Sequence, residues 1–352
     1  MSDADLIRIA SELEANAAEL RALAGTSPPI PPPTTIKGVW TSANELLRLP
    51  ASGPAWTALL SWANKSATPR VSDQDDASDV VTVAKALVYA RTGETKYKSE
   101  AQALCLAAID TEAGARALAL GRNLIGYAVA ADLCGFRDPT FTAWLDRMRR
   151  FLTVDGPKTL IESHEKRPNN WGTHAGASRA AIAVYLGDQA DLDRCARVFR
   201  GWLGDAAAYT GFEWGDLWWQ ADPAHPLGIN PRGAMRDGHS IDGVLPDDQR
   251  RGGPFVWPPP KENYVWEALQ GALAQALVLS RAGYVAWEWS DKALLRAVAW
   301  LHSQANFPAE GDDTWLPHLV NWAYGTTFPA PVPSSPGKNG GFTDWTHQGR
   351  RA

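Results

Sequence analysis

From residue 38 to about residue 324 the apolar residues recur at helical spacing, and almost nothing alternates as a strand would. The segments 41–48, 54–64, 77–92, 95–109, 115–133, 139–153, 173–186, 190–203, 262–282 and 290–305 read as helices. Neighbouring segments are joined by short breaks: Gly93, Gly114, Gly135 to Pro139, and Gly187-Asp188. A short break turns each helix back along the one before it, so the chain is expected to form antiparallel helix hairpins. Many such hairpins in one domain point to an all-α fold, an α/α toroid, whole or incomplete, whose inner helices frame a cleft at one end.

The regular pattern fails between about 205 and 261, where Trp218-Trp219, several Gly and Pro, and Trp257-Pro258-Pro259-Pro260 fall close together. An irregular insert of that length in a helical domain usually carries function. The stretch 325–352 is rich in Gly and Pro but keeps Phe342 and Trp345, and is expected to lie ordered against the body.

The N-terminus reads as a separate element. Leu6, Ile9, Leu13, Asn16, Leu20 and Leu23 alternate at spacings of three and four. Leu at a with Ile at d leans toward trimers or higher assemblies, and Asn16 would fix the register. The competing reading is an amphipathic helix lying on the main domain, since ~22 residues is marginal for an isolated coil. Pro28, Pro29, Pro31, Pro32 and Pro33 then form a stiff spacer. The expected organisation is a heptad helix at 1–26 serving oligomerisation through residues 3–24, a Pro-rich linker at 27–37, and a helical domain at 38–352.

A net charge of −5 argues against general nucleic-acid binding, so an anionic partner would need a local cationic cleft. No apolar run is long enough to span a membrane. The opening Met-Ser-Asp-Ala-Asp has neither a basic nor an apolar signal region, so an extracellular substrate would be met by another route, such as lysis or a virion. Cys105, Cys134 and Cys195 are widely spaced and read as buried thiols. The histidines show no metal-ligand spacing, and no cofactor is expected. The 17 tryptophans are the compositional outlier. Most should be core residues, but flat indole faces also stack on sugar rings.

Two stretches concentrate chemistry-bearing groups. One is Asn169-Asn170-Trp171-Gly172-Thr173-His174; the other runs from Arg236-Asp237-Gly238-His239 through Arg250-Arg251 to Tyr264. Together they hold amide, imidazole, guanidinium and phenol. The proton beside a uronate carboxylate becomes removable when fixed donors neutralise that carboxylate and stabilise the developing dianion. A base must take the proton and an acid must protonate the departing glycosidic oxygen. Asn, Arg and His suit the first task. Tyr suits the second, because its reference pKa of about 10 falls beside a cation. The structural alternatives are an Asn helix cap, a solvated Arg pair balancing Asp247-Asp248, and a core Tyr at a helix start.

NNWG at 169–172, RDGH at 236–239 and RRGGPFVWPPPKENYVWEALQGALAQALVLSRAGY at 250–284 resemble the alginate-lyase-like polysaccharide lyases, which have α/α toroid folds. AEGDDTWLPHLVNWAYG at 309–325 and GKNGGFTDWTH at 337–347 extend the resemblance, which spans roughly residues 80–347. It implies β-elimination within a uronic-acid polysaccharide of alginate or glucuronan type. On that resemblance the catalytic residues are Asn170, His239, Arg251 and Tyr264. Asn170 and Arg251 would neutralise the carboxylate, and Tyr264 would be base, acid or both. Asn169, Trp171, His174, Trp218, Trp219, Arg236 and Arg250 are the expected substrate contacts. In one common pattern His directly follows the Asn pair; here Trp171 stands there, so the imidazole is His239 or His174.

Two other functions fit parts of the sequence. A glycoside hydrolase would need paired carboxylates at about 5–5.5 or 6.5–9.5 Å, with candidates Glu213, Asp216, Asp237, Asp242, Glu262 and Glu267. A carbohydrate-binding or virion structural module would account for the heptad start without any bond cleavage.

Overall fold

The computed structural model describes residues 37–155, 159–333 and 335–349, all within the compact unit Pro33–Ala352. The heptad helix and nearly all of the Pro-rich linker lie outside the described residues. The helices follow in order as α1 (Ala43–Leu46), α2 (Pro54–Ala63), α3 (Ser78–Thr92), α4 (Thr95–Ala107), α5 (Ala117–Leu133), α6 (Pro139–Met148), α7 (Leu160–Lys166), α8 (Asn170–Leu186) and α9 (Gln189–Leu203). A two-residue-per-strand hairpin, β1 (Met235–Arg236) and β2 (His239–Ser240), interrupts them. Then come α10 (Pro246–Gln249), α11 (Tyr264–Arg281), α12 (Trp289–Ser303), α13 (Leu316–Tyr324) and α14 (Thr343–Thr346). The all-α expectation holds.

Helices α3, α5, α8 and α11 form the interior, buried on nearly every face. Contacts show that α5, α8 and α11 run parallel. Gly121 meets His174 while the Ile125 amide donates to Ser178; Gly271 meets Thr173 while Gln275 meets Gly176. Small residues make this possible: a Cβ on Gly271 would strike the backbone of His174. Short turns return the chain between them, with left-handed Gly93 and Gly187 ending α3 and α8. The amino ends of these parallel helices therefore collect at one end of the domain.

Short elements depart from the sequence reading. α7, α10, α13 and α14 are helical where no helix was expected, α6 stops at Met148, and α8 begins three residues early. The described residues of the C-terminal stretch pack against the body as expected. Trp345 is fully buried against Trp56, and its indole donates to the Pro50 carbonyl at 2.9 Å. Asn339, also fully buried, reaches between α5 and α8. Cys105, Cys134 and Cys195 are buried free thiols, as read, with burial pushing Cys134 up to about 12. No helix among the described residues is long and apolar enough to cross a membrane.

Candidate active site

The first turn of α8 is capped by Asn169, whose side chain accepts the Trp171 amide proton at 3.2 Å. Asn170 follows at the first helical position and is 1% exposed. Its backbone N–H, one of the amides a helix start leaves without an internal partner, donates to Asp248 Oδ1 at 3.0 Å. Its side-chain amide makes no hydrogen bond among the described residues, and its Oδ1 is buried. A buried amide left with spare capacity calls for a partner that the protein itself does not supply.

Asp248 sits on α10, which Pro246 starts and a single tight turn at Arg250–Gly252 ends. That short segment bridges two helix starts. Asp248 holds the first residue of α8, and three residues on, the Arg251 guanidinium lies 3.7 Å above the ring of Tyr264, the first residue of α11. Arg251 makes no ion pair among the described residues, and Tyr264 is 39% exposed. Burial pushes the Asp248 carboxyl well above the usual range and Asp247 adds to this, against the Asn170 amide and the two arginines. Three of the four expected catalytic groups, Asn170, Arg251 and Tyr264, are thus brought to one strut.

The other residues separate into roles. Arg250 is held by Asp247 at 3.0 Å and Asp216 at 3.4 Å, and Asp247 also accepts the Gly215 amide, so Arg250 braces the loop. His239 stacks flat on Trp257, with ring centres 4.4 Å apart. Arg236 donates to the Trp218 carbonyl and lies 5.2 Å over Phe255. Trp218 is exposed, whereas Trp219 is wholly enclosed and its indole donates to Gly253 at 3.0 Å. Trp219 is therefore corrected from substrate contact to core. No contact among the described residues joins His239 to Asn170 or Tyr264. Trp171 is half-buried beneath Arg167, whose guanidinium sits 4.4 Å over its ring.

His174 also departs from its expected role as a substrate contact, being 0% exposed. Asn339 gives its Nδ2 to the Gly121 carbonyl, so its Oδ1 accepts from His174 Nδ1 at 2.7 Å. The other ring nitrogen lies 3.6 Å from Glu267, which pairs with Arg122 at 3.3 Å. Burial lowers the His174 pKa, against the raising influence of Glu267 and Asn339. Burial would raise Glu267, but His174 and Arg122 outweigh it and hold the carboxyl below its usual value. His174 and Glu267 lie one turn deeper than Asn170 and Tyr264 on the same two helices. Asp248, Arg122 and Asn339 were not foreseen as site-building groups, and Glu267 was named only among the carboxylates of a hydrolase. Asp248 left a trace as an acid just inside a Pro-started turn.

Residues 127–213 match the family model described as alginate lyase. No curated protein and no solved structure matches the chain. The matched stretch runs from within α5 past α9 and includes Asn169, Asn170, Trp171 and His174, whereas Arg251 and Tyr264 lie beyond it. It bears out the resemblance to alginate-lyase-like proteins over those residues.

Proposed function

We propose, starting from the alginate lyase match over residues 127–213, that the protein is a polysaccharide lyase cutting a uronic-acid polymer by β-elimination. The observation that carries this reading is the Asn170 side-chain amide, unpartnered among the described residues, held by the same strut as Arg251, which makes no ion pair among them, and beside the 39% exposed Tyr264. In the proposed reaction Asn170 and Arg251 hold the uronate carboxylate and spread its charge as the neighbouring C–H bond breaks. Tyr264 takes that proton. The electron pair forms the new C=C bond, the glycosidic C–O bond breaks, and the leaving oxygen receives a proton from Tyr264. His239, half-buried on Trp257, is the imidazole with access to a substrate; His174 is enclosed and serves from beneath.

Five of the six carboxylates available to a hydrolase have other partners, which leaves Asp237 alone among the described residues. Glu213 pairs with Lys166, Asp216 with Arg250, Asp242 with Arg296 and Glu267 with Arg122, while Glu262 accepts the Tyr264 amide. That weighs against a free catalytic pair. A panel of polymannuronate, polyguluronate and polyglucuronate, followed by ultraviolet absorbance, tests the proposal. A lyase leaves a conjugated unsaturated uronate that absorbs. Reducing ends that accumulate without absorbance would mean hydrolysis.

A further inference from the structure

Beside the Asn170 strut lies a cavity of about 320 Å³ between the carboxyl end of α9 and the turn at 224–227. Tyr209, Phe212, Trp214, His225 and Pro226 line it. The volume lies at the lower end of the range for small-ligand pockets, roughly 300–1,000 Å³. The aromatic wall is braced. Tyr209 and Phe212 meet edge-on at 5.0 Å, Phe212 and Trp214 at 5.6 Å, and the Tyr209 hydroxyl donates to the Glu165 carbonyl at 2.6 Å. At the rim, the Thr210 hydroxyl makes no hydrogen bond among the described residues, and the exposed His225 ring pairs with Asp222 at 2.8 Å.

The wall is continuous with the candidate active site. Trp214 precedes Gly215, whose amide donates to Asp247 at 2.9 Å, and Asp247 adjoins the Asp248 that holds Asn170. Fixed aromatic faces below a polar rim suit a pyranose, whose C–H face stacks while its hydroxyls meet the rim. No lysine or arginine lines the cavity, so a carboxylate on that sugar would point outward to water.

We infer that this cavity is a saccharide subsite, holding a pyranose unit of the polymer away from the bond being cut. The inference rests on the lyase reading and deepens it: the enzyme favours long chains over short ones. The test uses a Tyr264→Phe background titrated calorimetrically with a uronate polymer that the parent cleaves. Trp214→Ala, and Ala224→Trp which fills the cavity from an exposed position, each weaken binding about tenfold. In the active background both lower kcat/KM further on polymer than on trisaccharide. Circular dichroism confirms that the variants are folded. Affinities equal to the background in both variants overturn the subsite while leaving the lyase reading intact. A parent that yields no absorbing product from any polyuronate defeats the lyase reading itself.

Discussion

Replacing Asp248 probes how the strut holds the start of α8. The residue is 1% exposed, accepts the Asn170 amide proton at 3.0 Å through one oxygen, and leaves the other buried and unpartnered. In Asp248→Ala the Asn170 N–H loses its acceptor in a dry setting, which costs about 1–3 kcal/mol. Asp248→Asn keeps an acceptor of nearly the same shape and removes a carboxyl whose ionised form burial opposes. Its stability should stay within about 1 kcal/mol of the parent, because the Asn170 N–H keeps its acceptor and the one polar atom left without a partner is unpartnered in the parent too. Urea unfolding gives the stabilities, and absorbance on a cleaved polyuronate gives kcat/KM. The Ala variant should lose both stability and activity, since Asn170 is no longer fixed; the Asn variant should keep most of each. An Ala variant matching the parent in both measurements would refute the reasoning. Equal damage in the two variants would show that the charge, not the acceptor, is what α8 needs.

Two more outcomes follow from packing and burial. A Cβ on Gly172 would collide with the Arg167 carbonyl oxygen, so Gly172→Ala should push the start of α8 away from that turn and cost about 1–3 kcal/mol, read as a lower Tm together with reduced activity. Burial pushes the Asp313 carboxyl up to about 8, against the hydrogen bond from Gln270. The folded state then holds this proton more tightly than the unfolded one, so Asp313 destabilises progressively as pH rises from about 4 to 8. The displacement is worth on the order of 5 kcal/mol between its protonation states. Asp313→Asn should therefore lose less stability than the parent between pH 5 and pH 8 in urea unfolding, and identical pH dependence would contradict this.

Much of the helical frame was legible because each long helix ends at a conspicuous break. Gly93 and Gly187 take left-handed backbone at the ends of α3 and α8, as sequence punctuation implied. α8 itself was read three residues short, because Asn169-Asn170-Trp171-Gly172 looks like loop until Asn169 is seen capping it. α7 and α13 went unread because seven- and nine-residue helices leave too little periodicity to register. Arg251 and Tyr264 were legible as a pair through their company and a spacing of 13 residues. Asp248 was not, because its role depends on Asn170, 78 positions away. His174 and Trp219 were misplaced for the same reason: local sequence does not show that Asn339 covers one and Gly253 receives the other.

Tyr264→Phe bears most directly on the elimination chemistry. It keeps the ring beneath Arg251 and removes only the hydroxyl. The account predicts that polyuronate binding persists while formation of the absorbing unsaturated product falls by about 100-fold or more. Turnover equal to that of the parent would contradict it.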